Sequence, residues 1–286
     1  MDEGDRVTAI AFVCHAPIYS NLNKSHMGTI QILRDFYSPL EKINRTIRIY
    51  LPDAYSTNPN QHFPVLYVFD GQNIFAHPES AKFDTWCANW AMDTLAYEGS
   101  TPPWIIVGID HTSDRFSEYS PWIGGRAERT AKFLVENLKP FIDKTYRTRP
   151  EQPWTGVMGA SMGGLITLYI GRTYPHIFGR IGSLSATLMW GKGLFGKGQM
   201  FGLWDKKLNY WSKIYVYVGG DEKYSFNGVW LDYPPINRDF YEHLKKLGYQ
   251  DHELYFELAD GEIHHETGWQ RQLPDIMRWL LEDVRG

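Results

Sequence analysis

The chain has 286 residues, 43% hydrophobic and 22% charged, which excludes disordered, collagen-like and coiled-coil classes. A formal net charge of -4 leaves no basic surplus to neutralise phosphates, so nucleic acid is not an expected partner. No apolar run reaches the ~18 residues needed for a membrane-spanning helix, and the acidic start Met1-Asp2-Glu3-Gly4-Asp5 does not resemble a secretory leader, so a cytoplasmic protein without a membrane partner is expected.

In chain order, residues 8–14 and 28–36 read as strands. Residues 45–51 alternate Arg/Thr with Ile/Tyr before Pro52, as a half-buried strand does. Residues 64–69 form a continuous apolar run closed by Asp70-Gly71, and 104–109 form another closed by Asp110. Further runs stand at 154–160, 181–186, 214–218 and 254–258. Runs of this kind are buried on both faces, as in a parallel sheet covered by helices. Helical patterns fill the gaps at 83–97, 127–144, 162–174, 237–247 and 269–284. In the second of these, Phe133, Leu134, Leu138, Phe141 and Ile142 share one face.

Alternating strands and helices predict βαβ units and an α/β fold with a mostly parallel central sheet. The first three strands, joined by short connections, are expected to be antiparallel. No repeat, low-complexity tract or long linker interrupts the chain, which predicts one domain over 1–286, with N-terminal strands to about 35 and the core from 36. The two cysteines, Cys14 and Cys87, are too few for a disulfide framework and lie in apolar stretches, so they read as buried thiols.

Ligands of α/β sheets sit at the carboxyl ends of the strands. At one such end stands Gly159-Ala160-Ser161-Met162-Gly163-Gly164, between an apolar strand and a helix. This is the Gly-x-Ser-x-Gly spacing of a nucleophile elbow. The serine occupies a strained turn that exposes its hydroxyl, and glycines two residues away on either side avoid backbone clashes. The N–H of Met162 then points at the oxygen of a bound carbonyl, helped by the helix N-terminus.

A serine nucleophile needs a base, and the base needs an orienting acid. In this fold the acid and then the histidine follow the serine in the chain. The strand over 214–218 ends in Gly219-Gly220-Asp221-Glu222, so the acid is Asp221 or Glu222. Of the histidines beyond it, His243 falls in a helix and His252 precedes a strand. His264 or His265 remains, in the loop before the last helix. His264-His265-Glu266 lacks the His-Glu-x-x-His spacing of a helical metal site, so neither metal nor cofactor is expected. A second oxyanion donor is expected from the turn Asp70-Gly71-Gln72-Asn73, where the N–H of Gln72 is the candidate.

With these features the chain resembles the putative-esterase (esterase D-like) family of the α/β-hydrolase superfamily. That group includes feruloyl and acetyl esterases, siderophore trilactone esterases and mycolyltransferases. The resemblance runs from about Phe36 to Leu281. It is carried by Tyr67-Val68-Phe69-Asp70-Gly71-Gln72-Asn73-Ile74-Phe75, Val107-Gly108-Ile109-Asp110, Arg115 with Glu118-Tyr119-Ser120-Pro121, the elbow, and Pro175-His176-Ile177-Phe178-Gly179. It implies an α/β-hydrolase fold with helices on both faces and no large cap domain. It also places the acid three residues past the strand-ending glycine, which is Glu222. The family's His-x-Glu-x-x-Trp pattern matches His264-His265-Glu266-Thr267-Gly268-Trp269, so His264 is the implied base. Arg115, Glu118 and Tyr119 read as an ion-pair block bracing a loop beside the site. Relatives often carry Ser-Pro-Ser and paired tryptophans after the sixth strand. Here the stretch is Ser185-Ala186-Thr187-Leu188-Met189-Trp190, and Trp190 alone is retained as a pocket residue. Residues 191–211 read equally as a flap or as a plain surface loop.

The expected function is a serine carboxylesterase acting on small-molecule short-chain or aryl esters, hydroxycinnamoyl and acetyl esters included, through an acyl-enzyme. The alternatives are a siderophore trilactone esterase, an acyltransferase, and a catalytically silent binding protein on the same scaffold. A triply negative ferric trilactone complex would require Arg or Lys around the pocket.

Overall fold

The computed structural model describes residues 27–80, 85–122, 124–191, 198–226 and 228–282. Its centre is an eight-stranded sheet formed by β1 (Thr29–Ser38), β2 (Ile43–Leu51), β3 (Val65–Phe69), β4 (Ile105–Ile109), β5 (Thr155–Ala160), β6 (Arg180–Leu184), β7 (Lys213–Gly219) and β10 (Leu254–Ala259). The spatial order is β1-β2-β4-β3-β5-β6-β7-β10. β2 is antiparallel to both β1 and β4. From β4 to β10 every neighbouring pair is parallel. The expected strand over 8–14 lies outside the described residues.

The apolar runs are continuous because both faces of the sheet are covered. Alternate residues of each strand feed two separate cores, as a two-residue side-chain period requires. Val65, Tyr67 and Phe69 of β3 join Ile214 and Val216 of β7 on one face. There they meet Phe133, Leu134, Leu138 and Ile142 of the long helix, Leu165 and Leu168 of helix Met162–Thr173, and Phe240 of helix Tyr233–Lys246. Leu66 and Val68 of β3 and Tyr215 and Tyr217 of β7 point the other way. They pack on Met92 and Leu95 of helix Ala88–Tyr97 and on Leu273, Met277 and Leu280 of helix Glu266–Leu281.

The long helix runs as Ala127–Lys132, a wider-wound stretch Phe133–Leu138, and Lys139–Thr145. Helix Tyr233–Lys246 begins four residues before the periodic pattern at 237–247, with prolines in its first turn, where a missing N–H costs nothing. Cys87 is fully buried as expected, but it is disulfide-bonded, which corrects the free-thiol reading. Cys14 lies outside the described residues.

Within residues 191–211, which read equally as flap or loop, 192–197 are outside the described residues. The remainder contains helix Gln199–Leu203, and its Met200 and Trp204 are fully buried in the first core. Among the described residues no cap domain intervenes between β6 and β7.

One local feature was not anticipated. A two-stranded hairpin, β8 (Lys223–Phe226) with β9 (Val229–Asp232), follows β7 directly. Sequence carried a signal for it: the dipeptide Asn227-Gly228 between alternating apolar residues favours tight hairpin turns, and Gly228 has φ 77°.

Candidate active site

The parallel strands all end at one edge of the sheet, and the predicted site residues lie just beyond those ends. Ser161 follows β5 with φ 58° and ψ -121°, a conformation costly for a residue with a side chain and typical of functional turns. The glycines around it are explained by space. A Cβ on Gly159 would lie 2.5 Å from the Gly163 carbonyl oxygen, and one on Gly163 would lie 2.9 Å from Asp70 Oδ2. Backbone thus closes the space at Gly159, and at Gly163 a Cβ would have to displace the Asp70 carboxylate that Arg115 holds.

His264 lies in the loop after β10, 103 residues from Ser161 in sequence, yet its Nε2 is 2.9 Å from Ser161 Oγ. Its Nδ1 is 2.8 Å from Glu222 Oε2. A carboxylate only accepts hydrogen bonds, so the imidazole N–H sits on Nδ1 and the Nε2 lone pair faces the serine hydroxyl. The Glu222 side chain is fully buried, and its other oxygen accepts from the Gly219 N–H at 2.8 Å and the Ser185 hydroxyl at 2.5 Å. Asp221, the other candidate acid, is exposed. His265 takes a different place. It caps the last helix, where Nδ1 accepts from the Thr267 N–H at 3.3 Å.

The imidazole is also held by rings. Tyr233 lies 4.2 Å from it at 38°, and Trp269 meets it edge-on at 5.2 Å. The Thr187 hydroxyl is 3.3 Å from Ser161 Oγ and 3.2 Å from the Tyr233 hydroxyl. Neither contact was anticipated from sequence, because they join residues 26 and 46 apart.

Met162 opens the helix after the elbow and lines the cavity. Gln72 lies in the short turn Gly71–Asn73 after β3. Its side-chain carbonyl accepts from the His111 N–H at 3.3 Å, and Asp70 and Asn73 supply the cavity wall at this turn. Asp70 enters the turn with φ 62°. Its carboxylate takes a two-pronged ion pair from Arg115, Nε at 2.6 Å and Nη2 at 2.7 Å. Burial opposes the charge on Arg115, but the Asp70 carboxylate outweighs it and the guanidinium pKa is raised. Tyr119 accepts from the Asp70 N–H at 3.2 Å, and Glu118 pairs with the buried Arg45 at 3.1 Å. Of the block expected to brace a loop, Arg115 and Tyr119 thus hold the turn that carries Gln72, while Glu118 is tied to Arg45. Glu266 closes the ring by accepting from the Asn73 amide at 3.3 Å.

In front of Ser161 lies a cavity of about 840 Å³. Its wall is largely aromatic, with Trp86, Phe116, Trp190, Trp230, Tyr233 and Trp269. Trp190 stands in this wall. It stacks on Phe116 at 5.7 Å, and its indole N–H donates to Ser120 Oγ at 3.0 Å. The hairpin supplies Trp230, Leu231 and Asp232. The charged lining groups are Asp70, Asp232 and Glu266 against Arg115, with the two histidines His111 and His264. Among the described residues no group of three or more His, Cys, Asp or Glu is placed to hold a metal ion, and no helix is long and apolar enough to cross a membrane.

The sheet order and the strained serine turn after β5 define an α/β-hydrolase. Residues 40–280 match the family described as putative esterase, and the chain belongs to that family. Among its relatives is an endo-1,4-beta-xylanase/feruloyl esterase of Xylanibacter ruminicola, 28% identical over 261 residues. That match covers 89% of this chain and 32% of the relative. The ferri-bacillibactin esterase BesA of Bacillus subtilis is 25% identical over 251 residues, covering 77% of this chain and 80% of BesA. The same fold is seen in a ferulic acid esterase from Anaeromyces mucronatus, with a TM-score of 0.69, 16% identity, and coverage of 92% of this chain and 94% of that one.

Proposed function

We propose that the chain is a serine carboxylesterase that hydrolyses neutral short-chain or aryl esters. The observation that carries this reading is the continuous hydrogen-bond path Ser161–His264–Glu222 opening into an aromatic cavity. Ser161 Oγ attacks the ester carbonyl carbon while His264 Nε2 takes its proton. Glu222 holds the imidazole tautomer and stabilises the imidazolium. The backbone N–H groups of Met162 and Gln72 receive the oxyanion. As the tetrahedral intermediate collapses, the C–O bond to the leaving alcohol breaks and His264 protonates that alcohol. Water then attacks the acyl-enzyme with His264 as base, which releases the acid and restores the serine.

The charge of the cavity favours one of the ester classes named for the relatives, feruloyl over ferri-siderophore. Among the described lining residues there is one guanidinium, already paired with Asp70, against the further carboxylates of Asp232, which pairs with Lys223 at 3.4 Å, and Glu266. Among these residues a triply negative ferric complex meets no Arg or Lys that is not already paired with a carboxylate. A neutral aryl ester finds rings to stack on.

The test is hydrolysis of p-nitrophenyl esters from acetate to laurate and of a feruloyl ester, with Ser161→Ala as control. Activity that peaks on short or aryl acyl groups and vanishes in the control is expected. Preference for a ferric trilactone over every neutral ester would overturn the substrate class. A folded protein inactive on all of them, and unlabelled at Ser161 by a fluorophosphonate, would leave a binding protein instead. Ester product formed in preference to free acid when an alcohol is added would make it an acyltransferase.

A further inference from the structure

We infer that Ser185 is the positioning residue for Glu222, fixing the carboxylate so that one oxygen alone faces His264. The inference rests on the proposed roles of Ser161, His264 and Glu222.

Ser185 immediately follows β6 and is fully buried. Its N–H donates to the Tyr217 carbonyl at 2.7 Å, continuing the β6–β7 ladder, while its φ is 44°. A left-handed conformation is uncommon for a residue other than glycine and is often found where function demands it. Here it turns the hydroxyl towards the acid. The indole N–H of Trp269 donates into Ser185 Oγ at 3.0 Å, and Ser185 Oγ lies 2.5 Å from Glu222 Oε1. An indole only donates and a carboxylate only accepts, so the hydroxyl hydrogen has one place to go: Glu222 Oε1.

With the Gly219 N–H at 2.8 Å on the same oxygen, Oε1 holds two donors and Oε2 is left to His264 Nδ1. Trp269 ties the two ends together, because its ring also meets the imidazole edge-on. Removing the hydroxyl leaves Oε1 with one donor and the Trp269 N–H without the acceptor it uses now. The carboxylate is then free to rotate and to share its oxygens differently between Gly219, Trp269 and His264. A positioning residue of this kind affects the rate of the chemical step and leaves substrate affinity alone.

Ser185→Ala and Ser185→Gly test this. Both remove the hydroxyl, and glycine also relieves the positive φ, so a loss in the glycine variant cannot come from backbone strain. In both, kcat on p-nitrophenyl acetate is expected to fall about tenfold or more, the scale of a lost hydrogen bond to a charged group, with KM held within about twofold. The downfield imidazole N–H proton resonance of His264, identified by its loss in Glu222→Gln, is expected to shift or broaden. A folded Ser185→Gly enzyme with wild-type kcat and an unchanged resonance overturns the inference, as does an effect confined to KM. If Glu222→Gln itself keeps wild-type kcat, the triad assignment falls and this inference with it. An inactive Glu222→Gln beside a fully active Ser185→Gly overturns the positioning role alone.

Discussion

Replacing Glu222 with glutamine preserves shape and deletes charge, and the surroundings dictate how the amide must sit. Oε1 accepts from the Gly219 N–H at 2.8 Å and from the Ser185 hydroxyl. An amide NH2 in that place would face the Gly219 N–H, donor against donor. The glutamine carbonyl therefore takes the Oε1 position and its NH2 faces His264 Nδ1, which becomes the acceptor. The imidazole proton moves to Nε2, where it points at Ser161 Oγ and blocks proton removal. Loss of the correct tautomer in a serine triad lowers kcat about 10⁴-fold, or ~5.5 kcal/mol at ~1.4 kcal/mol per decade. Steady-state kinetics on p-nitrophenyl acetate measures it, with thermal melting to verify folding. Asp221→Asn is the parallel variant. Its side chain is exposed, so kcat is expected within about twofold of wild type, as for most surface substitutions. A Glu222→Gln enzyme retaining more than about a tenth of kcat, or an Asp221→Asn enzyme losing more activity than Glu222→Gln does, would refute the reasoning about the amide and the tautomer.

Arg115→Met removes the partner of the largely buried Asp70 carboxylate and is expected to cost about 2–3 kcal/mol, below the fully buried value because Arg115 is partly exposed; an unchanged Tm would show that the pair does not brace the turn. Trp190→Ala removes the ring stacked on Phe116 and is expected to raise KM for a feruloyl ester about tenfold. Its kcat on acetate should be unaltered, and equal KM changes on both esters would count against an aryl subsite. Asp93 is buried, accepts from the Tyr50 hydroxyl at 2.6 Å and the Gly28 N–H at 2.9 Å through one oxygen, and among the described residues has no partner for the other. Burial, with a smaller contribution from Asp53, raises its pKa from 3.8 to about 7, against the lowering effect of its two hydrogen bonds. The folded state therefore holds this proton more tightly than the unfolded state. The stability it contributes is fully present below about pH 4 and is lost as pH rises through about 7. The Tm of Asp93→Asn relative to wild type should rise between pH 5 and pH 8, and a difference independent of pH would contradict this.

Much of the site was legible because its signals are local. Strand and helix follow from apolar periodicity over a few residues. The elbow follows from two glycines whose neighbours leave no room for a Cβ. The order serine, acid, histidine follows from which strand ends lie beyond Ser161. Local sequence also held the hairpin, in Asn227-Gly228, though each of its strands is only four residues long.

Chain order and periodicity leave Asp221 and Glu222 open and the family pattern points to Glu222; the tertiary structure is what brings Glu222 against His264, because the side chains of adjacent residues point apart where a strand ends and periodicity does not say which turns inward. It likewise left His264 at the serine and His265 as a helix cap. The grip of Arg115 on Asp70, across 45 residues of sequence, and of Ser185 on Glu222, across 37, arises because β4 neighbours β3 and β6 neighbours β7 in the sheet. Parallel pairing sets their carboxyl ends side by side, and composition and spacing cannot report adjacency between strands so far apart in the chain. The same adjacency sets the charge balance of the cavity, which depends on which carboxylates and cations share one wall.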